Sequence, residues 1–319
     1  RSTPRLPPRL HQVKQHNMSI PTPTSGRGAT RRRALIGRTV FTAPGLIYIT
    51  IFMAIPILLV LVYSFFQRGR FGGIVWEFTF DNYIRAFEPV YLQVFSNSLV
   101  IAGTTTLLAL LIGYPTAYAI AKLPTRWRTV ALVLVVLPFW TNFLIRTYAS
   151  IILLNSEGPI NSSLVDSGII SAPIGFLYTP GAVIVGLVYA YLPLVILPVY
   201  ASIERLDRQL IEAAGNLGAS RARAFFDVTL PLTLPGVMIG AIFVFVPSLG
   251  NFVIPELLGG GKTVMVGNLI RDQFLEARDW PFGAVLALFV ITLLVLLFAL
   301  QAAISRRING TGKRVNSRA

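Results

Sequence analysis

The chain reads as an all-α membrane protein of about six transmembrane helices, on three observations. Hydrophobic residues fill 54% of its 319 positions and charged residues only 13%, where soluble domains carry roughly 25% charged residues. Apolar stretches recur at the length, about 20 residues, that takes a helix across the hydrocarbon core. Basic residues flank those stretches, so the net charge of +15 reflects membrane topology and argues against nucleic-acid binding.

The spans are predicted at 41–66, 97–121, 129–153, 180–202, 234–257 and 282–304, within one membrane domain, 41–304. Ahead of them, 1–40 is a basic stretch rich in Pro, Ser, Thr and Arg, expected to be disordered, with Met18 a candidate start. A second basic tail, 305–319, follows. The first span has no small-residue cleavage site after it and is expected to be retained, with kinks at Pro44 and Pro56. The connection 67–94, with Trp76, Phe78, Phe80 and Tyr83, is expected to fold over the outer face. Between the third and fourth spans, the turn Glu157-Gly158-Pro159 and the apolar stretch 163–170 predict a small interfacial helix. In the fifth span Pro247, Gly250, Asn251 and Pro255 predict broken backbone, which membranes tolerate against protein or a water-filled cavity. Lys and Arg are retained on the cytoplasmic side; their concentration in both tails and in the fourth-to-fifth loop places both termini and that loop, 203–231, in the cytoplasm.

Several chemistries are excluded. Cysteine is absent, and the histidines are His11 and His16, both in the tail, so no metal site, thiol nucleophile or histidine base is expected in the membrane. Gly261-Lys262-Thr263 copies the end of a phosphate-binding loop, but Glu256 stands where its first glycine belongs. Catalytic residues and cofactors are therefore not expected. A candidate solute pathway comprises Trp140, Arg146, Tyr148, Asn251 and Glu256. Arg146 within the third span would cost about 2.5–3.5 kcal/mol against lipid, so it must face protein or water. One expectation is an ion pair between Arg146 and Glu256; the other is that Glu256 faces the route while carbonyls or Asn142 hold Arg146. Aromatic residues at matching depth, Phe139, Trp140, Tyr148, Tyr189, Tyr191 and Phe252, offer faces to an organic ammonium group.

The loop between the fourth and fifth spans carries the strongest signature, EAAGNLGASRARAFFDVTLP from Glu212 to Pro231. Leu210, Ile211, Ala214 and Leu217 fall on one helical face, while Ala213, Ala214 and Gly215 permit close approach by a partner. Asp207 predicts a helix N-cap, Gly218 a left-handed stop and Ser220 the cap of a second helix, giving helix, turn, helix. The pattern E-A-A-x3-G-x9-V-x-L-P resembles the coupling loop of the permease subunits of bacterial binding-protein-dependent ABC importers, with Val228 in place of the usual Ile. The stretches at 137–149, 191–207, 246–263 and 277–288 are similar to the spermidine/putrescine permease family.

That resemblance implies a type I ABC importer permease fold, multi-pass in the bacterial inner membrane, with ATP hydrolysed by a partner. It implies ATPase contact through Glu212, Ala213, Ala214, Gly215, Leu217 and Gly218. The implied partners are ABC ATPase subunits, a second permease subunit, an extracytoplasmic solute-binding protein, membrane lipid and a small-molecule solute, a polyamine. Asn251 departs from the family by replacing a residue that could supply counter-charge, and Glu256 stands where Asp is frequent. An importer permease for another small solute, an ion-coupled secondary transporter and a membrane scaffold are the alternative readings.

Overall fold

The computed structural model describes residues 27–316, with side chains placed over 43–303. Met18, most of the 1–40 tail and the end of the 305–319 tail lie outside the described residues. The chain forms two units, 1–57 and 58–319. The first is most of helix α1 (Arg27–Tyr63), which runs through both Pro44 and Pro56. Its apolar part, Ala43–Tyr63, is long enough to span a bilayer.

In the second unit, the 67–94 connection folds as an antiparallel hairpin, β1 (Phe66–Arg68) with β2 (Ile74–Phe78), followed by helix α2 (Asp81–Ala86). A two-stranded hairpin is marginal by itself. Here the Phe65 and Phe78 rings stack at 5.5 Å, Phe80 meets Phe78 edge-on at 5.1 Å, and Asn82 Nδ2 donates to Phe66 O at 2.9 Å.

Helices α3 (Pro89–Lys122), α4 (Thr125–Trp140), α5 (Phe143–Leu154), α6 (Pro159–Asp166) and α7 (Pro180–Glu204) follow. The third predicted span is two helices, because the segments Thr125–Trp140 and Phe143–Asp166 meet at 94°. The cause is local: Pro138 lies in the last turn of α4, and Asn142 restarts the chain by accepting from Leu144 N at 2.9 Å and Ile145 N at 3.4 Å. A short helix forms there as α6, slightly ahead of the apolar stretch that predicted it, because Pro159 suits the first helical turn.

The loop after α7 holds α8 (Arg208–Asn216) and α9 (Arg221–Ala224). A π-helical segment, Phe225–Thr229, joins α9 to α10 (Leu230–Gly250). The chain then breaks at Asn251-Phe252 and resumes as α11 (Val253–Gly259), α12 (Val266–Leu275) and α13 (Trp280–Asn316). The break falls where Pro247, Gly250 and Asn251 anticipated it. Among the described residues, five helices are long and apolar enough to cross a membrane, or six if the bent pair counts as one.

The core is α3, α7 and α10 in mutual contact, with Ala109, Ala117, Val195, Val199 and Val244 fully buried between them. Lipid tails are as apolar as Leu, so helices associate through close packing of small residues more than through burial from water. Gly236 shows how close: a Cβ there would lie 2.1 Å from Ser202 Oγ and 2.7 Å from Pro198 O. The outward faces stay apolar, with Leu107, Leu111, Leu134 and Leu296 exposed as a lipid-facing surface would be.

A polar latch ties α2 to the start of α13. Asp279, fully buried, accepts from Arg85 Nη1 at 2.8 Å and from Phe282 N at 3.2 Å, and the Arg85 guanidinium lies 4.0 Å from the Phe282 ring centre. Burial opposes the charge on Arg85, but its hydrogen bonds to Asp279 and Tyr91 outweigh that cost and raise its pKa. Asp279→Ala strands a guanidinium and uncaps α13, and is expected to cost about 3 kcal/mol. Arg85→Met with Asp279→Leu should cost less than the sum of the single changes, as thermal unfolding in detergent would measure.

Candidate functional site: a capped surface loop and two recesses at broken helices

The loop forms as its sequence directs. Asp207 caps α8 by accepting from Gln209 N at 2.9 Å. Gly218 ends it at φ +86°, a region that only glycine enters without strain, with Gly218 N donating to Gly215 O at 2.9 Å and Ala219 N to Ala214 O at 3.0 Å. Ser220 caps α9 by accepting from Arg223 N at 3.3 Å. Glu212, Ala213, Gly215 and Gly218 are exposed, Ala214 is half-buried, and Leu217 is 89% exposed. No residue of α8 is buried, although its faces are sharply divided between apolar and polar. Such a helix presents an apolar strip with small residues beside it, the form that fits a groove on another protein.

Arg146 does not pair with Glu256. Its Nη1 donates to Pro138 O at 2.9 Å, across the bend between α4 and α5, and its guanidinium lies 5.8 Å from both the Phe143 and Tyr189 ring centres. It serves a carbonyl at the broken helix end and stacks on aromatic faces, which satisfies the charge without a carboxylate. The ion pair is replaced by the alternative in which a carbonyl holds Arg146.

Glu256, on α11, reaches α12 instead. Its Oε2 accepts from Asn268 Nδ2 at 3.1 Å and lies 3.3 Å from Arg271 Nη2. Asn268 also donates to Phe252 O at 2.9 Å, fastening the broken segment to α12. Arg271 further contacts Asp272 Oδ1 at 2.7 Å and Glu276 Oε1 at 3.7 Å, and the Asp272 hydrogen bond is the main cause of its raised pKa.

Two recesses open beside this network. One, of about 550 Å³, is lined by Tyr148, Ile151, Tyr178, Glu256, Leu257, Gly260 and Lys262. The other, of about 320 Å³, lies at the helix break and includes Tyr191, Pro247, Asn251 and Phe252. There Asn251 Nδ2 donates to Tyr191 Oη at 2.7 Å, while Asn251 Oδ1 accepts from Ile254 N at 2.8 Å. The structure thus brings Tyr148 and Glu256 together, puts Asn251 on the neighbouring recess and tucks Arg146 beside Tyr189. Trp140, 80% exposed, lines neither recess.

Arg271, Asn268 and Tyr178 escaped the sequence reading, and Lys262 entered it only in the phosphate-loop look-alike. The first two are three residues apart on α12, and that spacing of a cation and an amide on one helical face is a usable signal. Tyr178 gives none: it adopts φ +64° and its amide donates to Leu258 O at 2.9 Å, which only the tertiary fold determines.

A mostly helical membrane chain with one small hairpin, an exposed, capped helical loop and recesses at broken spans has the architecture of a transport permease. The chain belongs to the family of binding-protein-dependent transport system inner membrane components, whose model matches residues 109–310. It is 45% identical over 262 residues to the spermidine/putrescine transport system permease protein PotB of Haemophilus influenzae, covering 82% of this chain and 92% of that one. It is 41% identical to PotB of Escherichia coli K12 over 262 residues, covering 82% and 95%. The crystal structure of a bacterial ABC transporter that imports alginate contains a chain of the same fold, with a TM-score of 0.68 at 20% identity, covering 88% of this chain and 98% of that one. The expected permease family, importer fold and multi-pass inner-membrane placement therefore hold. The chain is a membrane subunit of an ABC importer and not itself the ATPase.

Because Arg146 and Glu256 have separate partners, Arg146→Gln and Glu256→Gln should act additively on thermal stability, with a coupling energy below about 0.5 kcal/mol. A larger coupling in a double-mutant cycle would restore the ion pair.

Proposed function

We propose that this permease subunit imports polyamines, and that α8 passes the movement of partner ATPase subunits into the membrane helices. The observation that carries the solute assignment is the 45% identity to a spermidine/putrescine permease across 262 residues. The first recess is consistent with it, since Glu256 offers a carboxylate and Tyr148 and Tyr178 offer aromatic faces. A cation over such a face gains roughly 0.5–2 kcal/mol.

In this reading both termini and the 203–231 loop are cytoplasmic, and Glu212, Ala213, Ala214, Gly215, Leu217 and Gly218 form the ATPase-facing surface. Support comes from the exposed amphipathic α8 and from the basic residues around it. ATP binding draws the ATPase subunits together, and α8 moves with them. The π segment after α9 is packed edge-to-face on α3, with Phe225 at 5.8 Å from Tyr114 and 5.5 Å from Tyr118. A displacement of the loop therefore reaches both α3 and α10. A second permease subunit completes the route, and an extracytoplasmic binding protein delivers the solute to the opposite face.

Gly218→Val and Glu212→Lys should lower transport and solute-stimulated ATPase activity at least about tenfold while leaving solute affinity of the binding protein unchanged. Wild-type stimulation in both variants would remove the coupling role. Uptake of neither spermidine nor putrescine by the wild-type complex, with its cognate binding protein, would remove the solute assignment.

A further inference from the structure

Arg271 already fills the kind of place that an ammonium group of the solute would seek. Its guanidinium touches the carboxylate of Glu256 at 3.3 Å and lies 5.7 Å from the Phe252 ring centre. Glu256 lines the first recess and Phe252 the second, so Arg271 stands between the two. Its side chain is only 22% exposed while that of Glu256 is 46% exposed, so the carboxylate is reachable from the recess with its cation in place behind it. Asn268 fixes the arrangement by donating both to Glu256 Oε2 and to Phe252 O. Asp272 and Glu276 hold the same guanidinium, so it has other anionic partners if it leaves Glu256.

We propose that Arg271 is a positioning and charge-selecting residue that competes with the cationic solute for Glu256. This rests on the polyamine reading above. As a solute ammonium enters the first recess, Arg271 gives up Glu256 and stays on Asp272 and Glu276, so the carboxylate is never left bare. The exchange limits how tightly a polycation is held: a bare Glu256 beside two further carboxylates would retain it, whereas a shared Glu256 lets it pass. Lys262, which also lines the recess, adds to the same restraint. A more highly charged solute feels this balance more strongly than a less charged one, because each added positive charge interacts with the whole cluster.

The test uses the complete transporter, with its ATPase, second permease subunit and cognate binding protein, in proteoliposomes. Initial uptake is measured with saturating binding protein loaded with either spermidine or putrescine, so that the affinity of the binding protein drops out. Arg271→Gln should change the spermidine-to-putrescine rate ratio by at least about threefold, through slower release of spermidine. Arg271→Lys, which keeps the charge, should leave the ratio near wild type. Glu256→Gln should lower the spermidine rate more than the putrescine rate. A merely structural role would depress both rates together, so an assembled Arg271→Gln complex with an unchanged ratio overturns the proposal. If Arg271→Gln does not assemble, an unchanged ratio in Glu256→Gln overturns it instead. Wild-type uptake of neither polyamine sinks both this proposal and the solute assignment, whereas wild-type uptake with unchanged ratios in Arg271→Gln and Glu256→Gln sinks this proposal alone.

Discussion

A backbone amide within a bilayer has no water to turn to, and that constraint shapes this chain wherever a helix stops short of the surface. Each break is answered by a side chain. Asn142 receives the first amides of α5, Asn251 receives Ile254 N at the head of α11, and Arg146 donates to the carbonyl of Pro138 at the end of α4. Tyr191 supports Asn251 from α7. The recesses exist because these groups allow the chain to bend without leaving polar atoms against hydrocarbon. Remove the caps and the cavities have no walls.

Close packing sets the complementary limit. The α3, α7 and α10 core has little room to deform around positions such as Gly236, whereas the π segment, α11 and the surface loop lie outside that close packing. The helices α8 and α12 are also more polar than the core helices. Asn268 and Arg271 belong to a short helix that is only partly apolar, and they brace the broken segment by hydrogen bonds and ion pairs instead of by volume.

Much of this was legible in the sequence where a local rule applied. Asp207, Gly218 and Ser220 specify caps and a turn by their own chemistry, and the loop folds accordingly. Pro247, Gly250 and Asn251 announced a break that α10 makes. The bend at Thr141-Asn142 was missed because the hydropathy of 129–153 is continuous; only the pairing of Pro138 with an Asn cap marks it. That omission produced the incorrect ion pair. Placing Arg146 and Glu256 at similar depth says nothing of direction once the helix turns through 94°. The hairpin and α12 were not read because both depend on distant partners: the carbonyls of Ala277 and Arg278, which accept from Arg68 and from Gly73 N, for the hairpin, and Ser98 Oγ on Val266 N for the start of α12.

The α8 helix has a further consequence for the life of the subunit. Nine residues with none buried are too few to persist as a helix in water, and α8 is held by its caps and its neighbours α9 and the π segment. Opening it exposes no core, so it is among the least costly parts of the second unit to unfold. A subunit that has not yet met its partners therefore carries an easily frayed, apolar-edged segment on its surface, of the kind that proteases and chaperones grip. The same exposure that the proposed joint requires makes an orphan copy recognisable as incomplete.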